Sequence, residues 1–198
     1  LREMSDLAKD SGAQLLLCSD GLHGVVSERV LESALASNGG LDEKCSTLIQ
    51  AARDAGVQRV VFASSAAIYG NDPALPKREN LRPQPASPYA AGKISSEAFI
   101  ACYCNLYGLR AWMFRFGNVL GARMTHGVIF DFINKLRKNP DELLILGDGT
   151  QSKNYFLVED CIGGMSWAFQ HVKLDEQKPV ELLNLGTTTT TRVTEIGR

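Results

Sequence analysis

The chain has 198 residues, 44% of them hydrophobic, and 21 basic residues nearly balance 22 acidic ones to give a net charge of −1. This length is typical of about one globular domain of ~100–200 residues, and the balanced charge argues against a general nucleic-acid binder, which needs excess lysine and arginine to displace counterions. Because no apolar run approaches the ~18–20 residues of a membrane span and no signal peptide opens the sequence, we expect neither a membrane partner nor secretion.

The first third of the chain alternates between strand and helix signals. Residues 14–18 are a short apolar run that ends in a Ser-Asp-Gly turn, which predicts a strand. A helical pattern covers residues 27–36, and a second one covers residues 42–55 with Gly56 as its C-cap. The β-branched run at residues 57–63 then predicts a buried strand.

The rest of the chain continues this alternation. Prolines are concentrated between residues 71 and 88 and predict a long irregular loop, a feature that inside a domain is usually functional or disordered. The predicted helices are at residues 88–107, 128–137 and 158–172, and the predicted strands are at residues 109–116, 143–146 and 181–185. Strands that alternate with helices indicate an α/β domain with a mainly parallel sheet.

Hydroxyl, phenol and amine groups follow the first buried strand in an order that suits proton transfer. Ser64 and Ser65 come at its carboxyl end, where ligands of parallel α/β sheets bind. Tyr89 and Lys93 stand four residues apart at the start of a helix and therefore share one face. A nearby ammonium group favours the phenolate form of a tyrosine, and a serine hydroxyl can bond the same substrate oxygen. Each part also has an ordinary alternative, the serines as a cap or turn and the Tyr–Lys pair as a chance feature of an amphipathic helix.

Five segments of the sequence resemble consecutive motifs of one family. They are VVFASSAAIYG, SPYAAGK, RFGNVLGAR, THGVIFDFINKL and GDGTQSKNYFLVEDC. Over residues 57–186 the chain resembles the extended short-chain dehydrogenases/reductases, in particular the NAD-dependent nucleotide-sugar epimerase/dehydratase family and its UDP-glucose 4-epimerase-like members. The resemblance implies a Rossmann-like, mainly parallel α/β sheet with a small substrate-binding region, NAD as cofactor and a nucleotide sugar as substrate.

The same resemblance implies roles for individual residues. Ser65 would supply the catalytic hydroxyl, Tyr89 would act as acid and base, and Lys93 would hold the nicotinamide ribose. The residues implied to bind the cofactor are Ser64, Tyr89, Lys93 and Phe116. The residues implied to bind the substrate are Ser65, Asn118, Gly127, Val128 and Lys153. Lys153 stands where the family usually has an arginine that holds the diphosphate, and lysine keeps the charge but loses the bidentate fork.

The residues that follow Ser65 indicate the class of reaction. Related 4,6-dehydratases have an Asp-Glu pair there, whereas this chain has Ala66 and Ala67, which cannot act as acid or base. An epimerase, or a simple keto-reductase, is therefore preferred. The implied epimerisation moves a hydride from sugar C4 to NAD while Tyr89 takes the hydroxyl proton, and the hydride then returns to the other face of the keto-sugar. A homodimer through the helix at 89–107 is a further implication of the family.

The segment before residue 57 departs from that family. It has no GxxGxxG turn, so the usual N-terminal glycine-rich βα unit is lacking. Residues 12–56 instead resemble the C-terminal part of metal-dependent Ser/Thr protein phosphatases, in which Asp20 would correspond to a Mn²⁺- or Mg²⁺-binding aspartate, although one carboxylate cannot make a site. We therefore divide the chain into residues 1–56, of uncertain origin, and residues 57–198, the epimerase-like catalytic and substrate-binding portion.

The sequence leaves alternatives open. Three origins are open for the segment 1–56: a fusion, a mispredicted gene, or a divergent part of an epimerase. For the whole chain we prefer an NAD-dependent epimerase; the alternatives are a non-catalytic or truncated domain that keeps the sugar-nucleotide surface, another NDP-sugar dehydratase or reductase and, with least support, a phosphatase-derived protein. Because the sequence begins at Leu1 and its last residues predict the first turn of a helix, we expect part of a longer protein.

The cysteines bear on the compartment and on metal binding. The chain has 5 of them, an odd number without a CxxC pair. This pattern favours a reduced, cytoplasmic compartment over an oxidising one, and it predicts no metal site.

Overall fold

The computed structural model describes residues 15–18, 47, 50, 51, 53, 54, 56–122, 124–149 and 151–197. In these residues the strands are β1 Leu15–Cys18, β2 Arg59–Ser65, β3 Arg110–Phe116, β4 Asn118–Leu120, β5 Ser152–Lys153, β6 Tyr155–Leu157, β7 Val180–Leu185 and β8 Thr191–Arg192. The helices are α1 Pro88–Tyr107, α2 Val128–Lys138, α3 Val158–His171 and α4 Val193–Ile196, and a 3-10 turn covers Ala66–Tyr69. The chain divides into a sheet unit, Leu1–Phe116 with Met165–Asn184, and a small unit, Gly117–Gly164 with Leu185–Arg198.

The sheet unit is built on four strands in the order β1-β2-β3-β7. The pairs β1–β2 and β2–β3 are parallel, and Ser64 lies opposite Arg115 in the second pair. Val60 and Val61, on opposite faces of β2, are both buried, as expected for a parallel strand that is covered on both sides. The predicted mainly parallel α/β sheet is confirmed.

Helix α1 has the bounds that its local signals predict. The Ser87 hydroxyl accepts a hydrogen bond from the N–H of Ala90, and Pro88 occupies the first turn, where a missing N–H costs nothing. At the other end Gly108 has φ 71°, the left-handed conformation that favours glycine. Between these caps, Ile100 is buried in the main apolar core, so one face of the helix is held against the sheet.

The small unit consists of short elements. Strand β4 pairs with β6 in parallel, and β5 pairs with β8 in antiparallel orientation. Gly117 and Gly186 flank the side chain of Asn154, and a Cβ at Gly117 would come within 2.4 Å of the Asn154 Oδ1 atom. The two glycines therefore make room for this amide, and no larger residue fits beside it without a shift.

One predicted strand is wrong and four short ones were not predicted. Residues 143–146 form no strand, because Leu144 and Leu146 are 63% and 71% exposed and have no sheet to cover them. Strands β4, β5, β6 and β8 contain only two or three residues each, too few for a hydrophobic alternation to be visible in the sequence. The helices predicted at 128–137 and 158–172 are confirmed as α2 and α3.

The N-terminal segment is described only in part. Strand β1 confirms the strand predicted at 14–18 and pairs with β2, so this stretch contributes to the same sheet as the epimerase-like portion. The described residues between 47 and 54 are helical, and Gly56 follows with φ 78°, in agreement with the predicted helix and cap. The helix predicted at 27–36 and the turn with Asp20 lie outside the described residues. The division at residue 56 stays a prediction.

Candidate functional site

Two serines close strand β2, and their surroundings differ. The Ser65 hydroxyl accepts a hydrogen bond from the N–H of Ala67 at 3.2 Å and begins the 3-10 turn, and a hydroxyl that accepts in this way retains its own O–H as a donor. Ser64 is only 3% exposed and donates to Glu97 Oε1 at 2.5 Å. Ser65 therefore keeps a donor at the carboxyl end of the strand, whereas a cofactor contact from Ser64 would have to come from its backbone.

Tyr89 and Lys93 stand in the first two turns of helix α1. Tyr89 is 58% exposed, so its side chain is accessible from the surface of the described structure. The Lys93 Nζ atom lies 5.6 Å from the centre of the Tyr89 ring and donates a hydrogen bond to the carbonyl of Ala63 at 2.7 Å. The structure thus brings the two predicted residues together and fixes the ammonium group at the end of β2.

A buried ion pair joins helix α1 to strand β3. The Arg115 guanidinium donates to both carboxylate oxygens of Glu97, at 3.0 Å from Nε and 2.7 Å from Nη2, and the two residues are 4% and 7% exposed. Burial alone would lower the pKa of Arg115, but its bonds to Glu97 and Tyr69 raise this pKa, so the guanidinium stays charged.

The ion pair extends into a hydrogen-bond network. The Arg115 Nη1 atom donates to the hydroxyl of Tyr69 and to the carbonyl of Glu79, both at 3.0 Å. The Tyr69 hydroxyl in turn donates to Asn184 Oδ1 at 2.7 Å. Sequence reasoning missed this network. The available signals were an arginine inside the apolar run of β3 and a glutamate four residues after Lys93 on the same helix face.

A cavity of about 300 Å³ opens in the small unit. Three of the predicted substrate-binding residues, Gly127, Val128 and Lys153, lie together in its wall. The remaining lining residues are Asp131, Phe132, Lys135, Leu146, Gln151, Tyr155 and Val193. The structure therefore gathers residues that are far apart in sequence into one pocket, and it adds side chains such as Gln151 and Tyr155 that the motifs did not single out.

The polar groups of this pocket suit an anion beside an apolar surface. Lys153 is exposed and forms no ion pair with the part of the chain that the structure describes, whereas Lys135 pairs with Asp131 at 2.8 Å. The first N–H groups of any helix have no partner within the helix, and in α2, which starts after Gly127, no described side chain caps them. Burial raises the pKa of the Tyr155 hydroxyl, which is therefore a neutral donor at physiological pH.

Two other predicted residues make internal contacts. Asn118, predicted to touch the substrate, does not line the cavity, and its side-chain amide donates to the carbonyl of Asn154 at 2.9 Å. Phe116, predicted to contact the cofactor, closes β3 with its ring nearly parallel to that of Phe114, at a centroid distance of 6.2 Å. Both roles stay predictions.

The described residues offer neither a metal site nor a membrane-spanning helix. Across the described ranges, no group of three or more histidine, cysteine, aspartate or glutamate side chains could hold a metal ion. Asp20, the metal ligand of the phosphatase alternative, lies outside those ranges. Over the same described residues, no helix combines the length and the apolar character needed to cross a membrane.

A family profile and two curated sequences match this chain over most of its length. The profile of the NAD dependent epimerase/dehydratase family matches residues 44–186. UDP-glucose 4-epimerase from Mycolicibacterium smegmatis is 39% identical over 120 residues, which are 58% of this chain and 38% of that protein. A putative UDP-glucose 4-epimerase from Methanocaldococcus jannaschii is 34% identical over 154 residues, 75% of this chain and 48% of that protein.

Structural similarity extends over more of the chain. A crystal structure of UDP-galactose 4-epimerase superposes with a TM-score of 0.74 and 32% identity, covering 90% of this chain and 61% of the other.

Dehydratases match in sequence as well. Human dTDP-D-glucose 4,6-dehydratase is 32% identical over 141 residues, 71% of this chain and 39% of that protein. The chain thus spans about two fifths to a half of the length of these curated relatives.

The comparisons also correct one interpretation. The resemblance of residues 12–56 to protein phosphatases is not borne out, and the family match begins at residue 44, inside that segment. NAD, the predicted cofactor, is the cofactor of the matched family. The cytoplasmic compartment and the homodimer stay predictions.

Proposed function

Because the chain belongs to the NAD-dependent epimerase/dehydratase family, we propose that it contributes the acid/base and substrate-binding residues of a nucleotide-sugar 4-epimerase. The proposed reaction interconverts UDP-glucose and UDP-galactose through a transient 4-keto sugar. The observation that carries the proposal is the placement of the Lys93 ammonium 5.6 Å from the ring of an exposed Tyr89, at the carboxyl end of a parallel strand.

The donor set at this strand end fits the ribose hydroxyls of NAD. Among the described residues, Lys93 uses one of its three N–H donors on the Ala63 carbonyl, which leaves two for a ligand. Lys93, Tyr89, Phe116 and the backbone of Ser64 would hold the cofactor. When bound there, NAD would supply reversible hydride transfer with the sugar.

The protein's own part of the reaction is the movement of one proton. The Tyr89 oxygen takes the proton from the sugar 4-hydroxyl and later gives it back, and the Lys93 ammonium lies beside the Tyr89 ring, 5.6 Å from its centre. The Ser65 hydroxyl accepts a hydrogen bond from the N–H of Ala67 and donates its own O–H to the same substrate oxygen. This second bond orients the substrate oxygen. Side-chain hydroxyls thus hold the reacting oxygen from two directions.

The residues beside Ser65 favour epimerisation over dehydration. Elimination of water needs a further acid or base next to the reacting sugar, and the methyl groups of Ala66 and Ala67 cannot move protons. Because dehydratases are also among the relatives, membership of the family does not decide between the two reactions. The two alanines supply the local reason to prefer epimerisation.

The pocket of the small unit suits the nucleoside diphosphate. Lys153 and the free N–H groups at the start of α2 offer positive potential to phosphate oxygens, while Phe132 and Leu146 offer an apolar wall to the base. A lysine makes a point contact rather than a fork, so we expect a weaker hold on the diphosphate than an arginine would give.

The Tyr89→Phe variant tests the proposal. The wild-type chain, supplied with NAD⁺, should convert UDP-galactose to UDP-glucose, and the variant should lose about 10²- to 10⁴-fold in kcat because no group replaces the proton carrier. Tyr107→Phe, which changes an exposed tyrosine at the other end of the same helix, should leave the rate unchanged. Equal rates for Tyr89→Phe and the wild type would refute the assigned mechanism. Binding of UDP-glucose without any turnover would instead support a non-catalytic sugar-nucleotide-binding domain.

A further inference from the structure

We propose that Glu97 and Arg115 are positioning residues for the reaction proposed above, on which this inference rests. Their buried ion pair holds the end of strand β2, which carries Ser65, in a fixed relation to helix α1, which carries Tyr89 and Lys93. Neither residue touches the reacting groups, and both act through the backbone segments that they join.

On helix α1, the residues of the proposed link are spaced four positions apart. Tyr89, Lys93 and Glu97 lie on one face of α1, at positions i, i+4 and i+8. Lys93 donates to the Ala63 carbonyl at 2.7 Å, and Glu97 accepts from the Ser64 hydroxyl at 2.5 Å. Two successive turns of the helix are therefore bonded to two successive residues of β2, directly before Ser65.

The sheet side of the link comes from the parallel register. Ser64 of β2 and Arg115 of β3 are opposite each other, and both bond the same carboxylate oxygen of Glu97, at 2.5 Å and 3.0 Å. A bidentate pair with a guanidinium fixes the plane of a carboxylate as well as its distance. The carboxylate of Glu97 thus has three charge-assisted hydrogen bonds that define its orientation.

Arg115 also fixes the chain after Ser65. Its Nη1 atom bonds the hydroxyl of Tyr69 and the carbonyl of Glu79, and the Tyr69 hydroxyl continues to Asn184. Ser65 therefore lies between two residues, Ser64 and Tyr69, that the same ion pair holds. A shift of either would move the serine hydroxyl.

Stability alone does not explain a buried ion pair at this position. Desolvation of two charges offsets much of their attraction, and apolar residues of similar volume are often as stabilising or more so. What apolar residues cannot supply is the directional hold on Ser64 and Tyr69. The pair is thus expected to matter for placing the reacting groups more than for keeping the fold.

The double variant Glu97→Leu with Arg115→Met separates these two roles. It removes both charges together, so no unpaired charge is left in the interior, and its thermal midpoint should stay within ~5 °C of the wild type. Loss of alignment should lower kcat by about 10- to 100-fold with KM changed less than about 3-fold, because misplacement by ~1 Å has effects of this size. Trp112→Phe is the matched control: it removes a part-buried hydrogen bond from the same strand to the Val172 carbonyl and should keep kcat.

A second variant and a second readout keep the test decisive. If the double variant does not fold, Tyr69→Phe deletes only the hydroxyl between Arg115 and Asn184, and it should lower kcat several-fold at an unchanged KM. Hydrogen exchange of the Ala67 and Gly70 amides, which is independent of turnover, should accelerate in both variants. Wild-type kcat in a folded variant, or unchanged exchange at these amides, would overturn the positioning role. Absence of turnover in the wild type would refute the proposed function and with it the role in that reaction, while the exchange result would still decide whether the ion pair holds the segment around Ser65.

Discussion

The sheet unit and the small unit each present candidate ligand groups, but the two hold them by different means. In the sheet unit, Tyr89 and Lys93 stand on a 20-residue helix that is bonded to a central strand. In the small unit, Lys153 stands on a two-residue strand and is exposed. Proton transfer needs atoms held to fractions of an ångström, whereas a flexible ammonium can follow a phosphate oxygen that moves. Under the proposed function, the sheet unit carries the proton-transfer residues and the small unit carries the phosphate-binding lysine.

The two lysines make this difference measurable. Lys93 is half-buried and has a fixed backbone partner, and Lys153 has no ion-pair partner among the described residues. Removing the charge from the first should disturb catalysis, and removing it from the second should disturb binding.

The largest effect is expected from Lys93→Met. Without the ammonium, the charge beside the Tyr89 ring and the hydrogen bond to the Ala63 carbonyl are both lost, so kcat should fall by about 10²-fold or more. Lys173→Met, which changes an exposed lysine of the same unit, should keep the wild-type kcat. Steady-state kinetics with UDP-galactose measures both. A change in KM alone would show that Lys93 only binds and would remove the contrast between the units.

A smaller effect, on affinity, is expected from Lys153→Met. Loss of one charge-assisted contact with a phosphate should raise the Kd for UDP by about 10-fold, with kcat nearly unchanged. Lys153→Arg should restore or improve affinity, and Lys138→Met, at the far end of α2 and outside the pocket, should change nothing. Calorimetric titration with UDP distinguishes these outcomes. Equal affinity in the Lys153→Met variant would mean that the phosphates bind elsewhere.

The smallest effect concerns the stability of each unit and appears only at high pH. Burial raises the pKa of Cys104, in the sheet unit, to about 12 and that of Cys161, in the small unit, to about 11. Since both values lie above the ordinary value of 9.0, the neutral thiols contribute stability that is complete below about pH 9 and is lost as the pH rises through 11 and 12. Melting curves from pH 8 to pH 10 should therefore show a falling midpoint.

Thiol labelling at pH 8 compares the units directly. Exposed Cys102 should react at once, Cys161 more slowly, and Cys104, in the main core, slowest of all, because a buried thiol reacts only when its surroundings open. Peptide mass analysis gives the rate at each cysteine. Faster labelling of Cys104 than of Cys161 would contradict the view that the sheet unit is the more rigid one.

Local signals in the sequence predicted those elements whose ends are decided by neighbouring residues. Helix α1 begins at Ser87-Pro88 and ends before Gly108, and both cap residues can be identified directly in the sequence. The pairing of Tyr89 with Lys93 follows from helical geometry alone. The residues of the pocket, by contrast, were predicted only through family motifs, and Gln151 and Tyr155 were missed because nothing local distinguishes them from surface residues.

What the sequence by itself determined was the α/β alternation, the bounds of the long helices and the family to which the motifs belong. What only the tertiary structure decided was which charges are buried together. Glu97 and Arg115 are 18 positions apart, and they meet because the parallel register places Arg115 opposite Ser64 while the helix turns Glu97 towards the same point. Likewise, the apolar run at 143–146 forms no strand, because it pairs with no strand among the described residues. Pairing across a sheet depends on where distant segments come together, and this information is absent from any local stretch of sequence.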